Sequence, residues 1–335
     1  MTYSRIKNSR VLITGGAGFI GSNLCEDLLK YDNEVICLDN FSTGHFRNIK
    51  DFIDHKNFKL IVGDIRNLSD CRKAVDGVDY VLQEAALGSV PRSINDPVTT
   101  NEVNIGGFLN VLIAARDGKV KRFVYAASSS TYGDSKTLPK VEDVIGKPLS
   151  PYAITKYVNE LYADVFAKTY HMQCVGLRYF NVFGKRQNTD GAYAAVIPLW
   201  VKQMIQLQEP TINGSGEYSR DFTYINNVVQ ANQKAMLTPD ENLLNTEGYI
   251  NQVFNVAFGG NTTLNELFNT LKNNLSKFKP EIAKLKPIYG PYRPGDIPHS
   301  QASIEKAEKL MNYKPKYSAS EGFALACDWY WNNLK

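Results

Sequence analysis

Tyr152 and Lys156, in Tyr152-Ala153-Ile154-Thr155-Lys156, stand four positions apart and would share one face of a helix. A phenol is a poor base at neutral pH, its ordinary pKa being ~10. A lysine ammonium about 5 Å away, at an effective dielectric of roughly 20, would favour the phenolate by about 3 kcal/mol, or about two pKa units. Ser128, opening the run Ser128-Ser129-Ser130, can support the substrate oxygen that Tyr152 deprotonates as a hydride leaves the carbon. Ser129 and Ser130 can reach sugar hydroxyls. On its own, Tyr-x-x-x-Lys reads first as a solvated helix face.

A second signal upstream changes that balance. Gly15-Gly16-Ala17-Gly18-Phe19-Ile20-Gly21 follows the strand-like Val11-Leu12-Ile13-Thr14 and opens an apolar helical stretch. Such a turn lets backbone approach a pyrophosphate at a helix N-terminus. The two signals together describe redox chemistry on a nicotinamide cofactor, whose positive ring would also favour the Tyr152 phenolate. Asp39 ends the second predicted strand, where a carboxylate can bond a ribose 2′-hydroxyl and repel a 2′-phosphate, so NAD is expected over NADP. Asp64 would meet the adenine amino group with Ile65 covering the ring, or be an ordinary strand-end turn residue. The small residues of Gln83-Glu84-Ala85-Ala86 would let the chain pass close to the cofactor, although packing explains them equally well.

These residues need rigid elements to hold them. β-Branched runs at 11–14, 34–39, 59–62, 80–82, 123–126 and 174–179 alternate with helical stretches at 20–30, 69–75, 103–117 and 151–170. That rhythm predicts a Rossmann-like α/β fold, a doubly wound parallel sheet with a smaller C-terminal substrate lobe. The expected cofactor domain covers 1–180, rejoined by about 222–258. The lobe would hold 181–221 and 259–335, with helices near 196–207, 228–236, 264–271 and 303–311.

With 335 residues the chain can bury a large core, and a net charge of +4 with interleaved signs gives no basic stripe for nucleic acid. The modest excess of positive charge suits a phosphorylated small molecule. Five scattered cysteines predict buried free thiols in a reducing cytoplasm. No apolar leader or membrane-spanning stretch is evident, so a soluble protein is expected.

In their order, Thr14 to Gly21, Asp39-Asn40, Asp64-Ile65, the serine run, Tyr152 to Lys156 and Arg178-Tyr179-Phe180-Asn181 resemble the extended short-chain dehydrogenase/reductases, and among them the nucleotide-sugar 4-epimerases. The resemblance covers nearly the whole chain. It implies a tightly bound, recycled NAD held by Gly15, Gly18, Phe19, Ile20, Gly21, Asp39, Asn40, Ser42, Thr43, Gly44, Asp64, Ile65, Gln83, Ala85, Ala86, Tyr152, Lys156 and Tyr179. Asn104 would lie near the nicotinamide ribose or act in the helix packing behind it.

The same resemblance implies a UDP-sugar substrate. Asn181, Arg220 and Arg293 would hold its diphosphate, each arginine being otherwise a surface ion-pair partner. Ser89, Ser128, Ser129, Ser130, Tyr152, Ala195, Val196, Thr211 and Ser300 would complete the substrate site. Relatives that dehydrate or decarboxylate carry an acid one or two places after the active hydroxyl, where this chain has Ser129 and Ser130. Epimerases restricted to unacetylated sugars have a bulky residue where this chain has the small Ser300. The runs 87–93 and 191–198 also resemble the N-acetyl-preferring group, so UDP-N-acetylglucosamine 4-epimerisation is expected, with UDP-glucose a weaker substrate. Helices 103–117 and 151–170 resemble the pair that forms a four-helix homodimer interface. The alternatives are an NAD-dependent dehydratase or decarboxylase of the same superfamily, and a dinucleotide sensor without catalysis.

Overall fold

The computed structural model describes residues 3–188, 195–292 and 297–334. Its central sheet contains β1 (Arg10–Thr14), β2 (Glu34–Asp39), β3 (Phe58–Val62), β4 (Tyr80–Gln83), β5 (Arg122–Ser128), β6 (Cys174–Tyr179) and β7 (Asn251–Val256). All seven pair in parallel in the order β7-β6-β5-β4-β1-β2-β3. The longer helices are α1 (Phe19–Leu29), α2 (Leu68–Val75), α3 (Phe108–Asp117), α4 (Pro151–Tyr170), α5 (Val196–Ile205), α6 (Ile225–Leu237), α7 (Leu264–Leu275) and α8 (Ala319–Asn333).

The strands read as unbroken apolar runs because helices cover both faces of the sheet. Val11 and Ile13 point into one cluster with Leu24 and Leu28 of α1, Val228 of α6 and Phe323 of α8. Leu12, between them, points into the other, with Val75 of α2, Leu112 of α3 and Phe166 of α4. This is the doubly wound arrangement that the alternating pattern predicts.

Several boundaries differ from the sequence reading. The helix expected over 103–117 opens with a π-helical turn, Glu102–Gly107, before α3 begins. Inside that turn Asn104 reaches back to the backbone of Leu87, which it holds by accepting from Leu87 N at 2.8 Å and donating to Leu87 O at 3.2 Å. α7 continues to Leu275 instead of stopping at Leu271, and α8 is a helix the reading did not contain. Each starts with a capping box, Thr263 with Glu266 and Ser318 with Glu321, a Ser/Thr-x-x-Glu signal legible in the sequence.

Beyond β6 the chain leaves the sheet and returns to it through α6 and β7. Outside the sheet, Ser219–Arg220 forms a short strand between Thr262–Thr263 and His299–Ser300, and Thr211–Asn213 pairs with Ile288–Gly290. All five cysteines are buried free thiols. No helix among the described residues is long and apolar enough to cross a membrane.

Candidate active site

A cavity of about 400 Å³ opens over the carboxyl ends of β1, β2, β4 and β5, beside the point where the chain crosses from β3 over β1 to β4. Ligands of open α/β sheets collect at such a switch point. Gly15 (φ +67°) lies so close to β4 that a Cβ there would stand 2.8 Å from Ala85 Cα. A Cβ on Gly21 would stand 2.2 Å from Gly15 O. The glycine turn therefore folds tightly onto the start of α1, leaving its backbone open to the cavity. Of the residues expected at the cofactor, all but Gln83 and Asn104 line this space.

Asp39 accepts from Ala17 N at 2.9 Å and Phe41 N at 2.8 Å, so it ties the glycine turn to the loop carrying Ser42, Thr43 and Gly44. Burial pushes its carboxyl up, and the two amides pull it down. Asp64 is more heavily engaged than expected. It accepts from Arg66 Nη2 at 2.7 Å and Asn40 Nδ2 at 2.9 Å, and the Arg66 guanidinium helps bring its carboxyl down to about 2.

Gln83 and Asn104 lie outside the cavity lining. Gln83 is buried, bonds Thr14 of β1, and donates to Ala85 O at 3.0 Å, so it joins the two strands beneath the cavity instead of lining it. Asn104 is 1% exposed and holds Leu87 and Thr155 Oγ1, so of its two expected roles the packing one is what its contacts describe.

Tyr152 and Lys156 are both carried by α4. Ser150 Oγ accepts from Ala153 N at 3.1 Å and Pro151 occupies the first turn, which places Tyr152 at the helix start and Lys156 one turn later. β6 is tied to this helix by Arg178, which donates to both Glu160 oxygens at 2.9 and 2.7 Å, with both side chains almost fully buried. Ser128 ends β5 and lines the cavity beside Tyr152, whose phenol it lowers. The Ser130 amide donates to Ser128 Oγ at 3.2 Å, and the two hydroxyls are 2.9 Å apart.

The electrostatics depart from expectation here. Burial raises the Tyr152 phenol, Ser128 lowers it and Glu84 raises it further, so it stands above its ordinary value instead of below. Lys156 Nζ is 6.0 Å from the Tyr152 ring centroid and donates to Ala126 O at 2.8 Å. Its ammonium is directed at the end of β5, and burial lowers it to about 8.

Among the expected substrate residues, Ser128 and Tyr152 line the cavity, whereas Ser89, Ser129, Ser130, Asn181, Ala195, Val196, Thr211, Arg220 and Ser300 lie outside its lining. Two of these pair elsewhere, and a third bonds the residue next to them. Asn181, at φ +34°, donates to Asp221 O at 3.1 Å, and Ser300 pairs in register with Arg220. Ser89 caps the helix Val90–Asn95, Ala195 caps α5, and Thr211 opens the strand paired with Ile288–Gly290. Arg293 and residues 191–194 of the run 191–198 lie outside the described residues.

The reading missed Glu84, His45, Asn48 and Arg186, all of which line the cavity. Glu84 directly follows β4 at the switch point, where ligands of open α/β sheets collect. No group of potential metal ligands occurs among the described residues. The glycine cradle, the Asp39 carboxylate at one end and Ser128, Tyr152 and Lys156 at the other fit a dinucleotide laid across the strand ends.

The chain matches known proteins over nearly its whole length. The family model described as NAD dependent epimerase/dehydratase family matches residues 11–257. The UDP-N-acetylglucosamine 4-epimerase from Methanobrevibacter ruminantium M1, solved with UDP-N-acetylmuramic acid, is 35% identical, with 98% of this chain and 99% of that chain covered and a TM-score of 0.89. A Thermotoga maritima UDP-glucose 4-epimerase solved with UDP-glucose is 33% identical over 97% of this chain and 100% of its own, at a TM-score of 0.87. A Bacillus cereus UDP-glucuronic acid 4-epimerase, solved with UDP-glucuronic acid and NAD, is 30% identical over 96% and 99%, at a TM-score of 0.84.

Proposed function

We propose that this chain, which belongs to the NAD dependent epimerase/dehydratase family, is a UDP-sugar 4-epimerase whose main substrates are UDP-N-acetylglucosamine and UDP-N-acetylgalactosamine. The observation that carries the reaction type is the convergence of Ser128, Tyr152 and Lys156 on one end of a cavity whose other end holds the glycine turn and Asp39. NAD, the family's cofactor, supplies a hydride acceptor and donor when bound.

Tyr152 takes the proton of the sugar 4-hydroxyl and later returns it, with Ser128 steadying the same oxygen. Lys156 keeps positive charge beside them. The freed 4-keto sugar turns about its diphosphate link and is reduced on its other face, inverting C4 with no net use of cofactor. Such a cycle needs a firmly held diphosphate, the part given to Asn181, Arg220 and Arg293, and a loosely held hexose. Residues 1–180 with about 222–258 would bind the cofactor, and 181–221 with 259–335 the sugar nucleotide.

The acetylated sugar is favoured by the small Ser300 and by the likeness to the Methanobrevibacter enzyme. Exposed Ile154, Leu161 and Val165, spaced along one side of α4, support a homodimer through that helix. The test is incubation with UDP-N-acetylglucosamine, UDP-glucose and UDP-glucuronic acid separately, without added NAD. Epimer formed fastest from the acetylated sugar is expected. Faster turnover of either other sugar would overturn the substrate assignment, and absence of any epimer would overturn the reaction.

A further inference from the structure

At the reacting end of the cavity stands a carboxyl that the cycle above does not use. Glu84 directly follows β4 and lines the same space as Ser128, Tyr152, Lys156 and Tyr179. Tyr179 Oη donates to Glu84 Oε1 at 2.7 Å. Asn232 of α6, fully buried, donates from Nδ2 to Tyr179 Oη at 2.9 Å and to Val228 O at 3.0 Å.

The direction of this chain of bonds is fixed. A backbone carbonyl can only accept, so the Val228 contact orients the Asn232 amide with its nitrogen toward Tyr179. The Tyr179 oxygen therefore receives a hydrogen from Asn232, and its single proton goes to Glu84. A group held as an acceptor in this way is favoured in its ionised form. Burial works against that, bringing the Glu84 carboxyl up to about 7, with Tyr179 and Lys156 pulling it back down.

A carboxylate half-buried in the cavity calls for positive charge. Lys156 is the ammonium that Glu84 senses, and Glu84 and Glu160 both act to keep it charged. Yet no ion pair joins Glu84 to Lys156 among the described residues; Lys156 Nζ donates to Ala126 O. Glu84 also raises Tyr152 and Tyr179, so it works against the phenolate that the reaction needs. Packing alone would be served by an apolar or amide side chain. What a carboxylate adds at this end of the cavity is a counter-charge for a cationic ring.

We propose that Glu84, held by Tyr179 and Asn232, is a positioning residue that sets the redox poise of bound NAD by stabilising the oxidised, cationic nicotinamide. This rests on the epimerase reading and deepens it. Oxidation moves a hydride from the sugar C4 to the ring and the hydroxyl proton to Tyr152, and re-reduction returns both. The ring loses its positive charge in the first half and regains it in the second, so a nearby carboxylate favours the return and keeps the keto sugar from being stranded.

The test uses protein purified with NAD bound, in three variants: Glu84→Gln and Glu84→Leu, either of which removes the charge, and Glu84→Asp, which keeps it. Reduction of bound NAD by the uncharged hydride donor dimethylamine–borane is followed by the absorbance of the reduced cofactor. We expect reduction about tenfold faster in the neutral variants. The Asp variant should stay nearer the parent. With excess UDP-N-acetylglucosamine, the neutral variants should also accumulate reduced cofactor. Equal borane rates in parent and neutral variants, or an Asp variant as fast as the neutral ones, would overturn the inference. The borane arm uses no sugar, so a parent that fails to epimerise any UDP-sugar would count against the epimerase reading alone.

Discussion

Ser300 stands opposite Arg220 in a parallel strand pairing, and its carbonyl accepts the neighbouring Asp221 amide at 2.7 Å. The residue proposed to leave room for an N-acetyl group is therefore fixed in register with one proposed to hold the diphosphate. Filling that room should change sugar choice without loosening the nucleotide. Ser300→Tyr is expected to lower kcat/KM for UDP-N-acetylglucosamine by about tenfold or more and leave UDP-glucose turnover within about threefold, measured side by side. Equal losses on both sugars would contradict the assignment.

Tyr152 is expected to carry the proton. Tyr152→Phe should lower turnover by about 10²–10⁴-fold, the range of a lost general acid–base, while the purified variant keeps its NAD. Turnover close to the parent's would remove Tyr152 from the reaction.

Arg178 and Glu160 link β6 to α4 through a bidentate pair with side-chain exposures of 4% and 7%. Removing one partner leaves a buried charge uncompensated. Arg178→Ala is expected to destabilise the fold by about 3–5 kcal/mol in denaturant unfolding, whereas replacing both partners by apolar residues should cost much less.

Asp221 introduces a pH dependence of stability. Fully buried, it accepts the amides of Gly259 at 3.1 Å and Ala302 at 3.2 Å, and burial pushes its carboxyl up to about 7. An unfolded aspartate has a pKa of ~3.9. Between these values the folded protein binds a proton that the unfolded chain lacks, so stability is full below the lower value and falls as pH rises through the upper one. Unfolding at pH ~5 and pH ~8 should show the parent losing about 2–4 kcal/mol more than Asp221→Asn across that window. Parallel profiles would contradict it.

The sheet was legible because its strands are buried on both faces and carry little but β-branched and apolar residues, as in Val11 to Thr14. The cofactor end was legible for a related reason: Gly15, Gly21 and Asp39 are required by backbone approach and charge at fixed offsets along the chain. Other parts were hidden because tertiary contacts decide them. The π-turn around Asn104 carries a side chain that bonds Leu87, a residue 17 positions away. Tyr152 reads as an activated phenol from its spacing to Lys156, yet burial raises it and the lysine ammonium is directed at Ala126. Glu84 passed unnoticed in a run of small residues, because its partners Tyr179 and Asn232 come from β6 and α6.

The central claim is that C4 is oxidised and re-reduced on the protein's own cofactor. UDP-N-acetylglucosamine carrying deuterium at C4 tests it most directly, with NMR of the product formed in ordinary water and without added NAD. Deuterium should remain at C4 of the inverted sugar. Its loss to solvent, or its appearance at C6 with release of water, would contradict the account.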